Sequence, residues 1–508
     1  MEFCHENSIL RSPAIQRLRQ FVLEWQTQWE EGTPDFEQFE HELHEHTMAI
    51  ERELLEAELA HYDVTAKQVE VDGKTYRYTL TSSETYLSSA GAITVTRNLY
   101  RPSGRGSKSI CPLELRTGMI GGYWTPRAAR LGAWAVAHMT PGESEKMFDE
   151  QGGMKPSRSS LDRLPKALSP HWETHRQAWE AALCTQETIP HEATVLAMSV
   201  DGVTLRMRGG DRRAKREQPG KHASGPTGQK EAGCGTVVLY GAEEERLRTV
   251  RYGRMPEHKK ATLQQQLEME VASVLSARPD LKRVLLADGA KDNWRLLAEV
   301  DQACGPSPQP SVEIVDFCHA CDHLKEGCDA AWGESTSRSK TEFERLRKLL
   351  KENDDGAVRV INMLRYHYGR ARGRKRKRLK TQLTYFCNQK HRMHYAEYIR
   401  QGLPIASGVV EAACKTLVTQ RMKQSGMMWD QTGGQAVLTL RSLIQSNRWK
   451  PAWELLRTEF HKTVTICDTH GTLPSVSLPD MVPREQFVFQ RPVIVLTHID
   501  HAAISLVA

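Results

Sequence analysis

The stretch from Val195 to Phe317 constrains the fold more than any other part of this chain. Two strand-like runs, VLAMSV and TLRMR, are joined through Asp201-Gly202, and a basic, glycine-rich stretch Gly209–Gly233 follows them. A third run, GTVVLYG, precedes an amphipathic stretch Lys259–Ser276. The buried run LKRVLLAD, a helical Lys291–Asp301 and a last run SVEIVDF complete the segment. Strand, strand, strand, helix, strand, helix, strand predicts a mixed α/β sheet. Two runs end in Asp-Gly, at Asp201 and Asp288. A carboxylate at the C-terminal end of a buried strand stands on rigid support and faces a cleft. One Asp-Gly is equally a plain turn, but two on consecutive buried strands weaken that reading.

The chain has 508 residues, which suits two to four domains. Hydrophobic residues make up 39%, enough for real cores, so a wholly disordered protein is excluded. Residues 1–67 read as an acidic helical arm divided at Pro34, and 68–122 as a small β-rich region with an Asp72-Gly73 hairpin turn. In 123–190, PRAARLGAWAVAHM, PGESEKMFDEQ and PSRSSLDRLPKAL are helical and joined by a glycine turn. They fit a helix-turn-helix that directs Lys155, Arg158 and Arg163 at DNA, and equally an ordinary helical hairpin. Residues 191–318 hold the first part of the mixed sheet. A basic helical insertion spans 319–404, a second part with another helix 405–462, and a tail without periodicity 463–508.

Charge is unevenly spread. The net charge is +6, yet Met1–Lys67 carries 15 acidic and 5 basic residues, leaving a basic body. That body suits a polyanion, most simply nucleic acid. In GRARGRKRKRLK eight of twelve residues are Arg or Lys, a density that calls for a counter-anion. Arg212, Arg213, Arg372, Arg374, Lys375 and Arg376 are therefore candidate DNA contacts, as are Lys415, Arg421 and Lys423. No run approaches the roughly 20 apolar residues of a membrane span, and no secretory signal opens the chain. Eleven cysteines at irregular spacing read as reduced thiols, which places the protein in the cytoplasm.

A third carboxylate is available in PIASGVVEAACKTLVTQRMK, where Pro404 and Ser407-Gly408 mark a helix start. Val410, Cys414, Leu417 and Arg421 share one stripe, while Glu411, Lys415 and Thr419 share the next. Glu411 would point sideways from a helix packed on the sheet. A Glu411–Lys415 surface pair is the plainer alternative, contributing about 0.3–0.5 kcal/mol. Three carboxylates suit two Mg²⁺ ions, with Mn²⁺ as a substitute. Such a pair, about 3.5–4 Å apart, activates a water or 3′-hydroxyl and stabilises the leaving oxygen of a phosphodiester. Cys318, His319, Cys321, His323 and Cys328 have neither a second C-x-x-C nor a distant His pair, so zinc is not expected.

The order Asp201, Asp288, basic helical block, Glu411 resembles the DDE transposases. MSVDGVTLRM, ERLRTVRYGRMPEHKKATL, VLLADGAKDNW, VDFCHACDHL, IASGVVEAACKTLV and RMKQSGMMWDQTGGQAVLTLRSLIQSNRW are similar to the ISKra group of bacterial insertion-sequence transposases. The likeness covers roughly residues 195–456. It implies an α+β multidomain protein whose catalytic domain is ribonuclease-H-like with an α-helical insertion, preceded by helical and helix-turn-helix DNA-binding regions. It further implies that Asp201, Asp288 and Glu411 bind the metals, and that Asp316 and His319 support them as a D/C-x-x-H signature. Trp429 could stack on an unpaired base near a DNA end, although a core tryptophan is the plainer reading. Cys111 alone remains where relatives often carry a zinc ribbon.

The expected activity is binding of terminal inverted repeats in double-stranded DNA, followed by metal-dependent cleavage and strand transfer by at least a homodimer. Two alternatives stand beside it: a sequence-specific DNA-binding protein that no longer cleaves, and a structure-selective nuclease on the same fold.

Overall fold

The computed structural model describes residues 12–102, 108–208, 228–306 and 309–467. Two helices open it, α1 (Pro13–Glu31) and α2 (Phe36–Ala60), with Ser12 and Asp35 as their N-caps. Pro34 lies in the break between them, as the sequence predicts. Strands β1 (Gln68–Val71), β2 (Lys74–Ser88) and β3 (Gly91–Pro102) form an antiparallel sheet. Its first hairpin turns on Asp72 and Gly73, both at positive φ, which an Asp-Gly pair accommodates readily. A two-residue strand near the C-terminal end, β9 (Thr465–Ile466), pairs with β1 and anchors the start of the segment read as a tail.

After a short helix α3 (Pro112–Thr117) come α4 (Pro126–His138), α5 (Pro141–Gln151) and α6 (Arg158–Gln186). Thr140 and Glu143 form a capping box at α5, and Ser157 caps α6. The expected hairpin is present, but its second helix runs on to 29 residues. The extension adds Trp172, Trp179 and Leu183 to Leu161 and Leu164 in one core with Leu440 and Trp453, far along the chain. The helical region around α4–α6 is therefore not packed as a separate body.

The second sheet is five-stranded: β4 (Val195–Arg206), β5 (Gln229–Tyr240), β6 (Arg246–Arg254), β7 (Lys282–Ala287) and β8 (Val312–Val315). Spatial order is β6-β5-β4-β7-β8; the first three are antiparallel neighbours, and β7 and β8 add in parallel on the other side of β4. Helices α7 (Ala261–Ala277) and α8 (Lys291–Ala303) connect the later strands. Gly235 lets α7 come close, since a Cβ there would meet Leu263 at 3.0 Å and Leu267 at 3.1 Å. On the other face Gly253 approaches Leu417 and Leu438. With both faces covered, VLAMSV is buried throughout.

From β8 the chain enters a helical insertion: α9 (Phe317–Trp332), α10 (Ser337–Glu352), α11 (Gly356–Arg370), α12 (Gly373–Gln389) and α13 (Tyr395–Arg400). It returns into α14 (Gly408–Ala413), which continues through a π turn, Cys414–Thr419, to Met422. Helices α15 (Gln431–Gln445) and α16 (Trp449–Thr458) then close the second core. Among the described residues no helix is long and apolar enough to cross a membrane.

A buried ionic knot joins the two cores. Glu270 of α7 is fully buried, accepts from Tyr252 Oη at 2.7 Å and pairs with Arg448 at 2.8 Å and with Arg248. Arg448 also reaches Glu187, just beyond α6, at 2.6 Å. Burial opposes ionisation of Glu270, but Arg448 and Arg248 hold its carboxyl below the usual range.

Nearby Glu180 has the opposite balance. Burial pushes it up to about 7, against a hydrogen bond from Gln266 at 2.5 Å and the charge of Arg176. Unfolding exposes an ordinary carboxyl, so between its usual range and about pH 7 unfolding releases a proton and stability falls as pH rises. Glu180→Gln should raise the melting temperature at pH 8, corresponding to on the order of 2–3 kcal/mol, and leave it unchanged at pH 4. Thermal melts across pH check this.

Candidate active site

Asp201 lies within β4, because the strand continues to Arg206 rather than ending at Asp-Gly. What changes at Asp201 is burial: the fully buried run stops and its side chain is half-buried. Pairing places it opposite Cys234 of β5. Asp288 stands one residue past β7 and is also half-buried. The parallel β4–β7 ladder ends at Ser199 beside Leu286, and Asp201 and Asp288 each lie two residues beyond that last pair. Both carboxylates thus leave neighbouring central strands at one level and line a single open cleft of about 700 Å³.

Each aspartate is tethered locally. Asp201 Oδ1 accepts from the Gly202 N–H at 2.7 Å, and Oδ2 lies 3.5 Å from Cys414 Sγ. Asp288 Oδ1 accepts from the Ala290 N–H at 2.9 Å and Asn293 Nδ2 at 3.2 Å. Asn293 is held by Lys260 Nζ at 2.9 Å, and Lys260 also pairs with Glu231 at 2.8 Å. From α12, Tyr385 Oη donates to the Asp288 carbonyl at 3.1 Å and Gln389 Nε2 to the Gly289 carbonyl at 3.0 Å. Gly289 has φ +104°, and a Cβ there would sit 3.0 Å from Tyr385, so this Asp-Gly requires its glycine. Among the described residues neither Asp201 nor Asp288 is ion-paired with a Lys or Arg.

Glu411 occupies the first turn of α14 and is exposed. It forms no pair with Lys415 among the described residues; His319 Nε2 is its neighbour, at 3.9 Å. Partial burial raises its carboxyl, and the negative charges of Asp316 and Asp201 add to the rise while His319 opposes it. Glu411 does not line the cleft that the two aspartates share. The nearest link is Cys414, one turn further along the same helix and in contact with Asp201.

Asp316 explains how Glu411 is placed. Fully buried at the end of β8, it caps α9 by accepting from the His319 N–H at 2.7 Å, and its other oxygen takes the Ser407 N–H. One carboxylate therefore ties the start of the insertion to the start of the glutamate helix. The Phe317 N–H donates to the Ile405 carbonyl at 2.9 Å, closing the same junction. Asp316 and His319 act here on position, through backbone and through Glu411.

Among the described residues, no three His, Cys, Asp or Glu side chains converge closely enough to hold a metal ion. Like-charged carboxylates repel without a cation between them, and each aspartate turns an oxygen onto a local N–H. The donor chemistry nevertheless fits a hard divalent cation: oxygens only, on two adjacent strands, not neutralised by Lys or Arg. The Cys/His group fits zinc poorly. Cys321 and Cys328 are buried in the sheet core, Cys318 is exposed, and His323 bonds Gln382 at 2.7 Å and stacks on Tyr385.

The expected DNA contacts separate into groups. Lys155, Arg158 and Arg163 are exposed around the α5–α6 corner, with Lys155 3.6 Å from Asp149. Arg372, Arg374, Lys375 and Arg376 are exposed at the start of α12; Arg376 lies over Tyr368, and Lys375 Nζ donates to the Ala331 carbonyl at 2.7 Å. Lys415 and Lys423 are exposed. Arg212 and Arg213 fall outside the described residues.

Arg421 is different, being 3% exposed and bonded to the Val136 carbonyl at 3.1 Å. Its place on the stripe of Val410, Cys414 and Leu417 signals that burial, so it is not an open surface contact. Trp429 is half-buried: its Nε1 donates to the Met422 carbonyl at 2.9 Å, and its backbone pairs with Arg206 at the end of β4 and Arg208 just beyond it. Sequence reasoning missed Lys260, Tyr385 and Gln389, whose contacts are too distant along the chain to leave a periodic signal, and Asn293, whose local bond to Asp288 has no distinctive motif.

No protein-family model matches the sequence, and no curated protein matches it. A solved structure described as "Crystal structure of NurA with manganese" aligns at 13% identity over 59% of this chain, with a TM-score of 0.09. The chain spans 66% of that neighbour, just under two thirds of its length, and the likeness carries no argument.

Asp316→Ala leaves two buried N–H groups without an acceptor. It should destabilise the protein by on the order of 2–4 kcal/mol in denaturant melts, whereas His319→Ala should change stability little.

Proposed function

We propose that the protein is a DNA transposase of the DDE class, with Asp201, Asp288 and Glu411 as its metal-binding carboxylates. The observation that carries this reading is the cleft shared by Asp201 of β4 and Asp288 just past the end of the neighbouring parallel strand β7, with Glu411 on a helix whose start is tied to Asp316. The strand order, three antiparallel strands with two parallel ones added beside the first, supports a ribonuclease-H-like catalytic domain. The helical insertion between β8 and the glutamate helix falls where the ISKra resemblance expects it. The α5–α6 corner, with Arg158 and Arg163 exposed, supports a helix-turn-helix-like contact to the terminal repeats.

In this reading Asp201 and Asp288 would hold two Mg²⁺ ions, with Glu411 completing the set. When bound, the metals would supply nucleophile activation and charge neutralisation at the phosphodiester. The chain's own part is positioning. Asn293 and the Ala290 N–H orient Asp288, the Gly202 N–H orients Asp201, and His319 and Asp316 orient Glu411. Lys260 and Lys230 in the cleft hold phosphates by charge, as does the basic start of α12. Acting on two ends requires at least a dimer on DNA.

The test is cleavage and strand transfer on labelled DNA from the gene's own flanks, in Mg²⁺ or Mn²⁺. Asp201→Ala, Asp288→Ala and Glu411→Ala should each reduce both steps by at least about a hundredfold while DNA binding persists. Activity surviving all three substitutions would refute the assignment.

A further inference from the structure

A cavity of about 750 Å³ lies beyond the end of β4, between the first turns of α5 and α6 and the Gly426–Trp429 loop. Arg208, on its lining, is some 20 Å along the chain from Asp201 at about 3.3 Å per residue, so the cavity is distinct from the carboxylate cleft. Arg421 also lines it. Its Nε is bonded to Val136, its guanidinium lies 5.5 Å from the Trp429 ring centroid, and its terminal nitrogens have no acceptor among the described residues. Arg441, buried beside it, is occupied by the carbonyls of Leu417, Thr416 and Ala137.

Neither arginine has a carboxylate ion-pair partner among the described residues. Burial draws both down to about 10, which still leaves them charged at neutral pH. A buried cation with no carboxylate in direct contact is costly, and Glu143 and Asp162 act on Arg421 only through space. The wall adds the N-terminus of the long helix α6, where Glu145 takes the Arg158 N–H and Ser157 Oγ the Ser160 N–H, so that the positive end of the helix dipole is what favours a further anion. Arg158, Lys166 and Arg208 stand around it. The acidic residues of the lining are engaged: Glu145 caps the Arg158 N–H at 2.8 Å, Asp162 pairs with Lys166 at 2.6 Å, and Asp430 caps α15. Beside Arg421, Trp429, Met427 and Met428 form an aromatic and thioether ledge.

We propose that this cavity holds one nucleotide of a DNA strand, with a phosphate on Arg421 and the α6 N-terminus and the base against Trp429 and Met428. The proposal deepens the transposase reading by naming how a strand is gripped, and rests on that reading only for the strand being DNA.

The test is a fluorescence-anisotropy titration in EDTA with a fluorescein-labelled single-stranded oligothymidylate and its abasic counterpart. Native protein should bind the base-bearing strand roughly tenfold more tightly. Trp429→Ala should erase that difference and Trp429→Phe restore most of it, with melting temperatures confirming that both variants fold. Arg208→Ala should weaken both strands alike and lower the salt dependence. Equal binding of the two strands by native protein, or discrimination that survives Trp429→Ala, overturns the proposal. Thymidine monophosphate competing as well as the strand would also overturn it, making a free nucleotide the ligand. Because EDTA suppresses metal-dependent chemistry, this result stands or falls independently of the carboxylate variants.

Discussion

The two backbone hydrogen bonds accepted by Asp316 hold the candidate site together. The helical insertion from α9 to α13 leaves the sheet at Phe317 and must bring the chain back to within reach of the central strands. Asp316, fully buried, accepts from His319 on the outgoing side and Ser407 on the returning side. A buried carboxylate needs such partners to be tolerated, and the same requirement joins the ends of the insertion. The insertion can then carry a dense basic surface on α12 without moving Glu411 away from the ends of the central strands β4 and β7. Helix α12 reaches back as well, with Tyr385 and Gln389 on the Asp288-Gly289 backbone.

A second constraint is the knot of Glu270, Arg448, Arg248 and Glu187. It fastens α6 and the α15–α16 corner to the edge of the five-stranded sheet, so the helices nearest the N-terminal sheet share a core with those that follow the glutamate. Breaking such a pair leaves a charge without a partner, a change that costs several kcal/mol. The long α6 therefore links the α5–α6 corner, where Arg158 and Arg163 are exposed, to the scaffold carrying Asp201. A DNA contact at that corner would be transmitted through packed helix rather than a linker.

Much of this was legible in the residues. VLAMSV and the VLLA of LKRVLLAD are largely apolar and buried because helices cover both faces, and that pattern identifies central strands. Pro34, Asp72-Gly73 and Ser407-Gly408 mark breaks through ordinary backbone chemistry. Three features were less visible. Asp201 lies within a strand because β5 continues to pair with β4 beyond it, which Asp-Gly chemistry alone does not reveal. Arg421 is buried because it follows the apolar stripe of its helix, a signal its charge obscures. Helix α6 extends past Pro165 and Pro170 because tertiary packing outweighs the local penalty. The supporting shell of Lys260, Asn293, Tyr385 and Gln389 is assembled by long-range contacts.

The most direct test of the central claim is the anomalous scattering of crystals grown with Mn²⁺. The account predicts two peaks, both within coordination distance of Asp201 and Asp288, with Glu411 drawn toward one of them. Absence of manganese from that edge of the sheet in well-diffracting crystals, or a metal bound elsewhere with both aspartates uncoordinated, would contradict it.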